Sequence, residues 1–131
     1  MLLKLSQIGH IALPVSYVDR SEECYATVVG LRKLYRYGNM SFFGCAGVRL
    51  LLEKTLDGST PRRGGCVYFR RADIALTVAE LKRRGVTLTH QPHLIAKMDD
   101  HDLWMAFFDD PDGHTLAVMQ EAPKGYAPAA I

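Results

Sequence analysis

The hydrophobic and polar positions of this chain follow one pattern twice. The first half begins with "IGHIALPVSYVDRSEECYATVVGLRKL" and the second with "GGCVYFRRADIALTVAELKRRGVTLT". Each stretch reads as a short apolar strand, then a helix with apolar residues on one side, then a glycine and a further strand. Such repetition of one supersecondary unit indicates that the chain contains two copies of a single module.

The two predicted helices carry their own start and stop signals. We expect the first to begin at Ser16, with Asp19 three residues later as in a capping box, and to end at Gly30. The second is expected to begin near Asp73, a residue type favoured at helix N-caps, and to end at Gly85. The apolar residues at helical spacing are Val18, Tyr25 and Val28 in the first helix and Ile74, Val78 and Leu81 in the second.

Each half continues in three β-rich segments. They are "LRKLYRYG", "MSFFGC" and "VRLLLEK" in the first half and "VTLTHQPHLIAKM", "DLWMAFFD" and "HTLAVMQE" in the second, where "DDPDG" predicts a turn. The pattern predicts an α+β fold of two tandem βαβββ modules, about residues 5–54 and 65–122, joined by a linker at 55–64. Two such modules are expected to form one domain, with curled mixed sheets around a ligand cavity. The tail, residues 123–131, is either frayed or a strap on a partner subunit.

Composition narrows the class of protein without naming a function. The 131 residues suit one domain, and a net charge of +2 argues against a nucleic-acid partner or a membrane surface. No apolar run approaches the roughly 18 residues that span a bilayer. The three cysteines, Cys24, Cys45 and Cys66, fit neither a disulfide framework nor a CxxC metal site. We therefore expect reduced thiols in a cytoplasmic protein.

Four stretches carry a resemblance to a known family: "IGHIALPV", "YATVVGL", "RADIALTVAELKRRGV" and "FFDDPDG". With them, residues 7–121 resemble the vicinal oxygen chelate superfamily, which includes glyoxalase I, extradiol dioxygenases, fosfomycin-resistance enzymes, methylmalonyl-CoA epimerase and the bleomycin-resistance proteins. The resemblance implies a homodimer that binds a small molecule in a cavity. It leaves the reaction open, because fold does not determine function.

In metal-using members of this family the ligands are His, Glu, His and Glu, on the first and last strands of each module. The resemblance carries them to His10, Leu51, Cys66 and Ala117, and only His10 matches in type. A divalent ion requires nitrogen, oxygen or sulfur donors, which leucine and alanine lack. Leu51 and Ala117 each follow a turn glycine, Gly47 and Gly113, by four residues, so we expect their side chains to face the cavity at equivalent positions. We expect no cofactor; if one is present, it is a divalent metal ion.

A displaced ligand set is the alternative. Side chains on a strand alternate between its faces, so Glu53 shares a face with Leu51, and Glu121 shares one with Ala117. Both glutamates lie further along their strands than the family positions. Together with His10 they form a metal site only if a bulge or a long ligand bridges the gap.

Further candidates for the cavity follow the third family position. Tyr68 and Arg70 come after Cys66 at every second residue and should share its face. Cys66 is either a nucleophile or soft ligand, or a small buried hydrophobe. We expect Arg70 to be partly buried, where it either pairs with Glu53 or Glu121 or binds an anionic ligand.

The second half offers more aromatic and basic candidates. His93 and Lys97 are predicted to share a strand face, where His93 either reaches the pocket or is half exposed. Trp104 is either a core residue or part of the ligand site. The other histidines of this half are expected to be solvated in or beside loops and turns: His90, His101 and His114.

Three functions fit these residues. The first is a small-molecule protein with a degenerate metal site that binds an aromatic or apolar anionic compound, with His10 as general base and Glu121 as a second catalytic candidate. The second is a metal-dependent lyase, isomerase or dioxygenase that uses His10, Glu53 and Glu121. The third is a non-catalytic protein that sequesters a toxic compound, as the bleomycin-resistance proteins do.

Overall fold

A computed structural model describes residues 3–128, so the last residues of the predicted tail, 129–131, lie outside it. The chain contains two compact units that divide between Arg62 and Arg63. Each unit has a four-stranded mixed sheet with helical structure on one face. In each, the first strand pairs in parallel with the fourth, and the fourth, third and second strands follow in antiparallel order. The predicted α+β fold of two repeated modules is confirmed.

The elements of the first module are β1 (His10–Val15), α1 (Val18–Glu23), β2 (Arg32–Tyr37), β3 (Met40–Cys45) and β4 (Val48–Lys54). A π-helical segment, Cys24–Val29, follows α1, and Gly30 ends it with a left-handed φ of 85°, as predicted. The predicted start at Ser16 is wrong. The backbone is still extended at Tyr17, the N-cap residue, which makes no side-chain capping hydrogen bond.

The first module buries the side of its sheet that faces the helix. Tyr25 and Phe43 are fully buried, with ring centroids 6.3 Å apart, and Leu52 is fully buried as well. The hydroxyl of Ser41 donates a hydrogen bond to the Glu22 carboxylate at 2.8 Å. Apolar packing and one buried polar contact therefore hold α1 to β3 and β4.

The opposite side of this sheet, the first helix-distal face, is defined by strand register. Ala12 pairs with Leu51, Leu51 with Phe42, and Phe42 with Tyr35. Side chains alternate along each strand, so these four point away from the helix, and so does His10, two residues before Ala12. The face is thus fixed by backbone pairing.

The elements of the second module are β5 (Cys66–Arg70), α2 (Ile74–Arg83), β6 (Leu88–Lys97), β7 (Asp102–Asp109) and β8 (Thr115–Ala122). Asp73 caps α2, since its carboxylate accepts a hydrogen bond from Leu76 N at 3.0 Å, and Gly85 follows the helix with a φ of 88°. Both predicted boundaries are confirmed. The predicted apolar residues of α2 are buried: Ile74, Val78 and Leu81.

The second helix-distal face is defined in the same way. Tyr68 pairs with Ala117, Ala117 with Phe107, and Phe107 with His90. Cys66, two residues before Tyr68, shares their side of the sheet. The opposite side packs on α2.

The predicted turn between β7 and β8 is confirmed and closed by a carboxylate. Gly113 N donates to Asp110 O at 2.9 Å, and the Asp110 side chain accepts hydrogen bonds from Asp112 N at 2.9 Å and His114 N at 2.8 Å. His114 is only 3% exposed, so the prediction that it is solvated is wrong. Its backbone bond to Asp110 folds the residue back against the module.

Strand β6 does not pair regularly with β7. His93 pairs with Met105 and Lys97 with Asp102, so the two partners are three residues apart on β7 although His93 and Lys97 are four apart on β6. One residue of β6 bulges out of the ladder and reverses the alternation beyond it. The prediction that His93 and Lys97 share a face is therefore wrong.

The chain after β8 is held to its own module. The Asp102 carboxylate accepts a hydrogen bond from Gly125 N at 2.9 Å and lies 3.1 Å from Lys124 Nζ, and these two partners lower the pKa of the Asp102 carboxyl. The Tyr126 ring meets Trp104 edge-on, with centroids 6.2 Å apart. This part of the tail is therefore not frayed. Neither α2 nor any other helix within residues 3–128 has the length and apolar character to cross a membrane.

Candidate functional site

The four positions singled out by the sequence resemblance take equivalent places in the two modules. Leu51 pairs with the residue two after His10, and Ala117 pairs with the residue two after Cys66. Leu51 is 8% exposed and Ala117 is fully buried. Both side chains point away from the helices, as their equal spacing from the preceding turn glycines predicts.

His10 is hydrogen-bonded to the neighbouring strand. Its Nδ1 accepts a hydrogen bond from Arg49 Nε at 3.1 Å, and the strand register places the two residues opposite each other. Arginine is always the donor in such a bond, so Nδ1 carries no proton and the neutral ring is protonated on Nε2. A general base needs a free lone pair. In this arrangement the Nδ1 lone pair of His10 is engaged by Arg49 and the ring presents its Nε2–H; its role as a general base stays a prediction.

Two aromatic rings border this pair. Phe42 lies edge-on to His10 with centroids 5.6 Å apart, and Tyr35 stacks on Phe42 at 4.6 Å. The first helix-distal face thus combines an imidazole, a guanidinium and an aromatic stack. Sequence reasoning missed Arg49 and Tyr35. For Arg49 a signal existed, because it precedes Leu51 by two residues on the same strand and must share its face.

On the second helix-distal face a thiol neighbours a phenol. Burial raises the pKa of the Cys66 thiol, and a hydrogen bond with Tyr68 partly opposes that rise. The pKa of the Tyr68 hydroxyl is also raised, chiefly by the charge that Cys66 carries when ionised. Near neutral pH the Cys66 thiol therefore keeps its proton. This favours the interpretation of Cys66 as a small, soft contact surface over that of a nucleophile.

A cluster of four rings covers the middle of the same face, and we call it the ring cluster: Tyr68, His90, His93 and Phe107. The other three rings all meet Phe107, with centroids between 5.6 and 6.2 Å away. His93 Nδ1 lies 2.8 Å from the carbonyl oxygen of Gln91, which can only accept, so Nδ1 carries the proton. His93 Nε2 is thus left with a lone pair. The predicted pocket candidate His93 offers the acceptor that His10 lacks.

The two histidines reach one face because β6 is irregular between them. They are three residues apart, yet their partners Phe107 and Met105 are two apart. The extra residue falls within Gln91–Pro92, and proline has no N–H to contribute to a ladder. The expectation that His90 lies beside a loop is wrong, although its side chain is exposed. A proline inside a strand-like run was the signal of a bulge.

Arg70 pairs with Glu121 at the margin of the second sheet. The Nε–Oε1 distance is 3.6 Å, and the two side chains are 73% and 39% exposed. The predicted pairing is confirmed, whereas the predicted burial of Arg70 is wrong. Arg70 is the last residue of β5, which is an edge strand, so little of the sheet covers its side chain.

Two other candidates lie apart from these groups. Trp104 pairs with Gln120, whose side-chain oxygen accepts a hydrogen bond from the first residue of α2 at 2.9 Å. Trp104 is therefore on the helix-facing side, away from the ring cluster. Glu53 lies on the first helix-distal face, where it pairs with Met40 and is half-buried.

Known protein families agree with this architecture. A sequence model of the Glyoxalase/Bleomycin resistance protein/Dioxygenase superfamily matches residues 7–118, which is most of the chain. The chain belongs to this superfamily.

Individual relatives are distant. The catechol-2,3-dioxygenase of Bacillus subtilis (strain 168) is 22% identical over 129 residues, which cover 91% of this chain and 43% of that protein, so the chain spans less than half of this relative. The solved lactoylglutathione lyase from Agrobacterium tumefaciens is 22% identical, with a TM-score of 0.71 over 95% of this chain and 100% of that one. A glyoxalase/bleomycin resistance protein/dioxygenase from Nocardioides is 19% identical, with a TM-score of 0.74 over 99% of this chain and 92% of that one. At these identities the likeness shows the fold alone.

Members of the superfamily often use a divalent metal ion, and the residues described here do not fit one. Leu51 and Ala117 have no donor atoms, and the Nδ1 lone pair of His10 is engaged by Arg49. Glu121, the displaced candidate, is paired with Arg70. Within residues 3–128 no group of three or more His, Cys, Asp or Glu side chains is placed to hold an ion.

Proposed function

We propose that this protein binds a small aromatic molecule on its second helix-distal face, without the divalent metal ion common in its superfamily. We also propose that it is a homodimer, as proteins of this superfamily often are. The observation that supports ligand binding most strongly is the ring cluster, in which three rings surround Phe107 on one side of one sheet.

The cluster has the geometry to receive a planar ring. Tyr68 is 48% exposed, and both histidine side chains are exposed, so ring faces stay accessible. Tyr68 and His90 stand nearly perpendicular to Phe107, at 81° and 78°. Edge-to-face and offset contacts are the arrangements that aromatic rings prefer. A further ring added to this cluster would extend the same packing.

His93 gives the face a polar preference. Because its Nδ1 donates to a backbone carbonyl, its Nε2 can accept a hydrogen bond from a ligand hydroxyl. Aromatic contact surface with one or two fixed polar groups is the usual composition of a small-molecule site. The proposed ligand is therefore an aromatic compound with a hydroxyl group. Any turnover is expected to use His93 as the base.

Binding is favoured over metal-dependent chemistry by the bonding of the candidate ligands. The metalloenzyme alternative needs His10, Glu53 and Glu121. His10 is engaged by Arg49, and within residues 3–128 no group of three or more His, Cys, Asp or Glu side chains is placed to hold an ion. Sequestration of an aromatic compound, the third function weighed from the sequence, needs no metal ligand.

The proposal is tested by titrating isotopically labelled protein with catechol and following backbone amide shifts by NMR. Catechol is an aromatic diol and the compound named in the Bacillus relative. We expect shifts in β5 to β8 and none with cyclohexane-1,2-diol, which has the hydroxyls but no aromatic ring. Phe107→Leu, which keeps an apolar side chain but removes the ring, should weaken catechol binding about fivefold to tenfold. Native mass spectrometry of the same sample should report a dimer.

The matched control is Tyr17→Leu, which removes an exposed aromatic ring of the first module, 64% exposed and outside the ring cluster. It should leave catechol affinity unchanged. Equal shifts with catechol and cyclohexane-1,2-diol, or equal losses in the two variants, would show that the ring cluster is not a ligand site.

A further inference from the structure

The first module carries a positive charge that its own carboxylates do not neutralise. Arg36 pairs with Asp19 and Glu22, and Arg70 of the second module pairs with Glu121. Arg49, in contrast, has no carboxylate within ion-pair distance in the part of the chain that the structure describes. Its hydrogen-bond partner is the neutral ring of His10.

The bond to His10 fixes the guanidinium in a useful orientation. Arg49 uses its Nε–H to donate to His10 Nδ1, at 3.1 Å. Its two terminal Nη groups can therefore donate side by side to a ligand. That fork matches the two oxygens of a carboxylate. The Nε2–H of His10 is a further donor on the same face, because its Nδ1 is the acceptor in this bond.

An aromatic wall stands next to these donors. Phe42 lies edge-on to His10 at 5.6 Å, and Tyr35, which is 49% exposed, stacks on Phe42 at 4.6 Å with an interplanar angle of 26°. All four residues lie on the first helix-distal face by register. Donors for an anion and a surface for a planar ring therefore adjoin.

We infer that Arg49 and His10 form a carboxylate-binding site on the first module, which takes an aromatic carboxylate with its ring against Phe42 and Tyr35. The Arg49 guanidinium supplies positive charge near the one family position whose residue type is retained, and it does so by engaging the His10 nitrogen. None of these four residues belongs to the ring cluster of the second module.

Benzoate and its neutral analogue benzamide test this site, again by amide shifts in the full chain. Benzoate should shift signals of β1 and β4, including those of His10 and Arg49, and should bind about tenfold more tightly than benzamide. Arg49→Met should abolish this preference, while Arg49→Lys, which keeps the charge and loses the fork, should retain part of it. Raising the salt concentration should narrow the difference, because the site is exposed.

The matched control is Arg71→Met, since Arg71 is also exposed and, among residues 3–128, its side chain is hydrogen-bonded to a neutral group, the Thr77 hydroxyl at 3.3 Å. It changes the net charge equally and should leave the preference for benzoate intact. Equal effects of Arg49→Met and Arg71→Met, or benzoate shifts confined to the second module, would overturn the inference. Benzoate shifts are read from β1 and β4 and catechol shifts from β5 to β8, so the two proposals fail separately.

A second readout needs no ligand. Nitrogen-detected NMR of neutral His10 should show the proton on Nε2 in the wild-type protein and a mixture of tautomers in Arg49→Met, because the donor that fixes Nδ1 is gone. A proton on Nδ1 in the wild-type protein would contradict the arrangement on which the site depends.

Discussion

The two modules share one backbone frame and place opposite chemistry on it. Strand order and register repeat, so Leu51 and Ala117 occupy equivalent positions. On the first helix-distal face His10 presents an N–H, because Arg49 engages its Nδ1. On the second, His93 presents a lone pair, because a backbone carbonyl takes its Nδ1 proton. Register thus fixes where a side chain stands, and the partner of that side chain decides whether it donates or accepts.

The largest expected difference between the modules is in the turns that precede their last strands. In the second module the Asp110 carboxylate, only 5% exposed, accepts two backbone N–H groups. Asp110→Ala should lower the free energy of unfolding by about 2 kcal/mol, because it leaves those groups without an acceptor. Urea denaturation followed by circular dichroism measures this value.

The equivalent turn of the first module has only two residues, Ala46 and Gly47, both with positive φ, of 49° and 89°. Ala46→Asn places a residue that tolerates this conformation beside the glycine, and it should stabilise the protein by about 0.5–1 kcal/mol. The comparison of the two turns also has a result that would contradict it. If Asp110→Ala lowered the free energy of unfolding by no more than about 0.5 kcal/mol, the Asp110 carboxylate would not be what stabilises the turn of the second module.

A smaller expected effect concerns the thiol of the second face. Alkylation requires the thiolate, and the pKa of Cys66 is raised by burial, so its rate of reaction with iodoacetamide should rise only at a pH above that of an unstructured cysteine. Tyr68 lowers this pKa through its hydrogen bond, so Tyr68→Phe should move the midpoint of the rate profile to still higher pH. Mass spectrometry of the alkylated peptides separates Cys66 from Cys24 and Cys45.

The control for this profile is Tyr35→Phe, on the other module. It should leave the Cys66 midpoint in place. A shift to lower pH in Tyr68→Phe would mean that the phenol does not stabilise the thiolate and that the pair works in the opposite sense.

The smallest effect is expected at Arg70. Its ion pair with Glu121 is long and its side chain 73% exposed, so Arg70→Met should change the free energy of unfolding by less than about 0.5 kcal/mol. It should also leave the benzoate preference unchanged, in contrast to Arg49→Met. If Arg70→Met removed the preference for benzoate and Arg49→Met did not, the anion-binding residue would be Arg70 of the second module, and the proposed site on the first module would be wrong.

The sequence predicted the frame better than the sites. The two βαβββ modules could be predicted from local signals in the sequence. These are the strand and helix periods, the cap at Asp73 and the glycines that end the helices. The same regularity placed Leu51 and Ala117 correctly, because β4 and β8 pair without interruption.

The errors lie where the chain departs from regular spacing or where exposure depends on the position in the sheet. Lys97 was placed on the wrong face because a bulge in β6 reverses the alternation. Arg70 was expected to be buried but is exposed, because β5 is an edge strand and strand order cannot be predicted from spacing along the chain. The hydrogen bond to His10 could not be predicted from spacing along one strand, because its donor, Arg49, lies on a different strand.

The irregular course of β6 also affects how readily another strand can add to the edge of its sheet. β6 is an outer strand of its sheet and, with ten residues, one of the longest, with Leu94 and Ile95 exposed at 38% and 42%. A long apolar edge with free N–H and C=O groups invites strands of other molecules to add to it. Pro92 withholds one N–H, and the bulges keep a straight strand from docking along the rest. The bulge that brings the two histidines onto one face thus also disfavours the addition of a further strand along this edge.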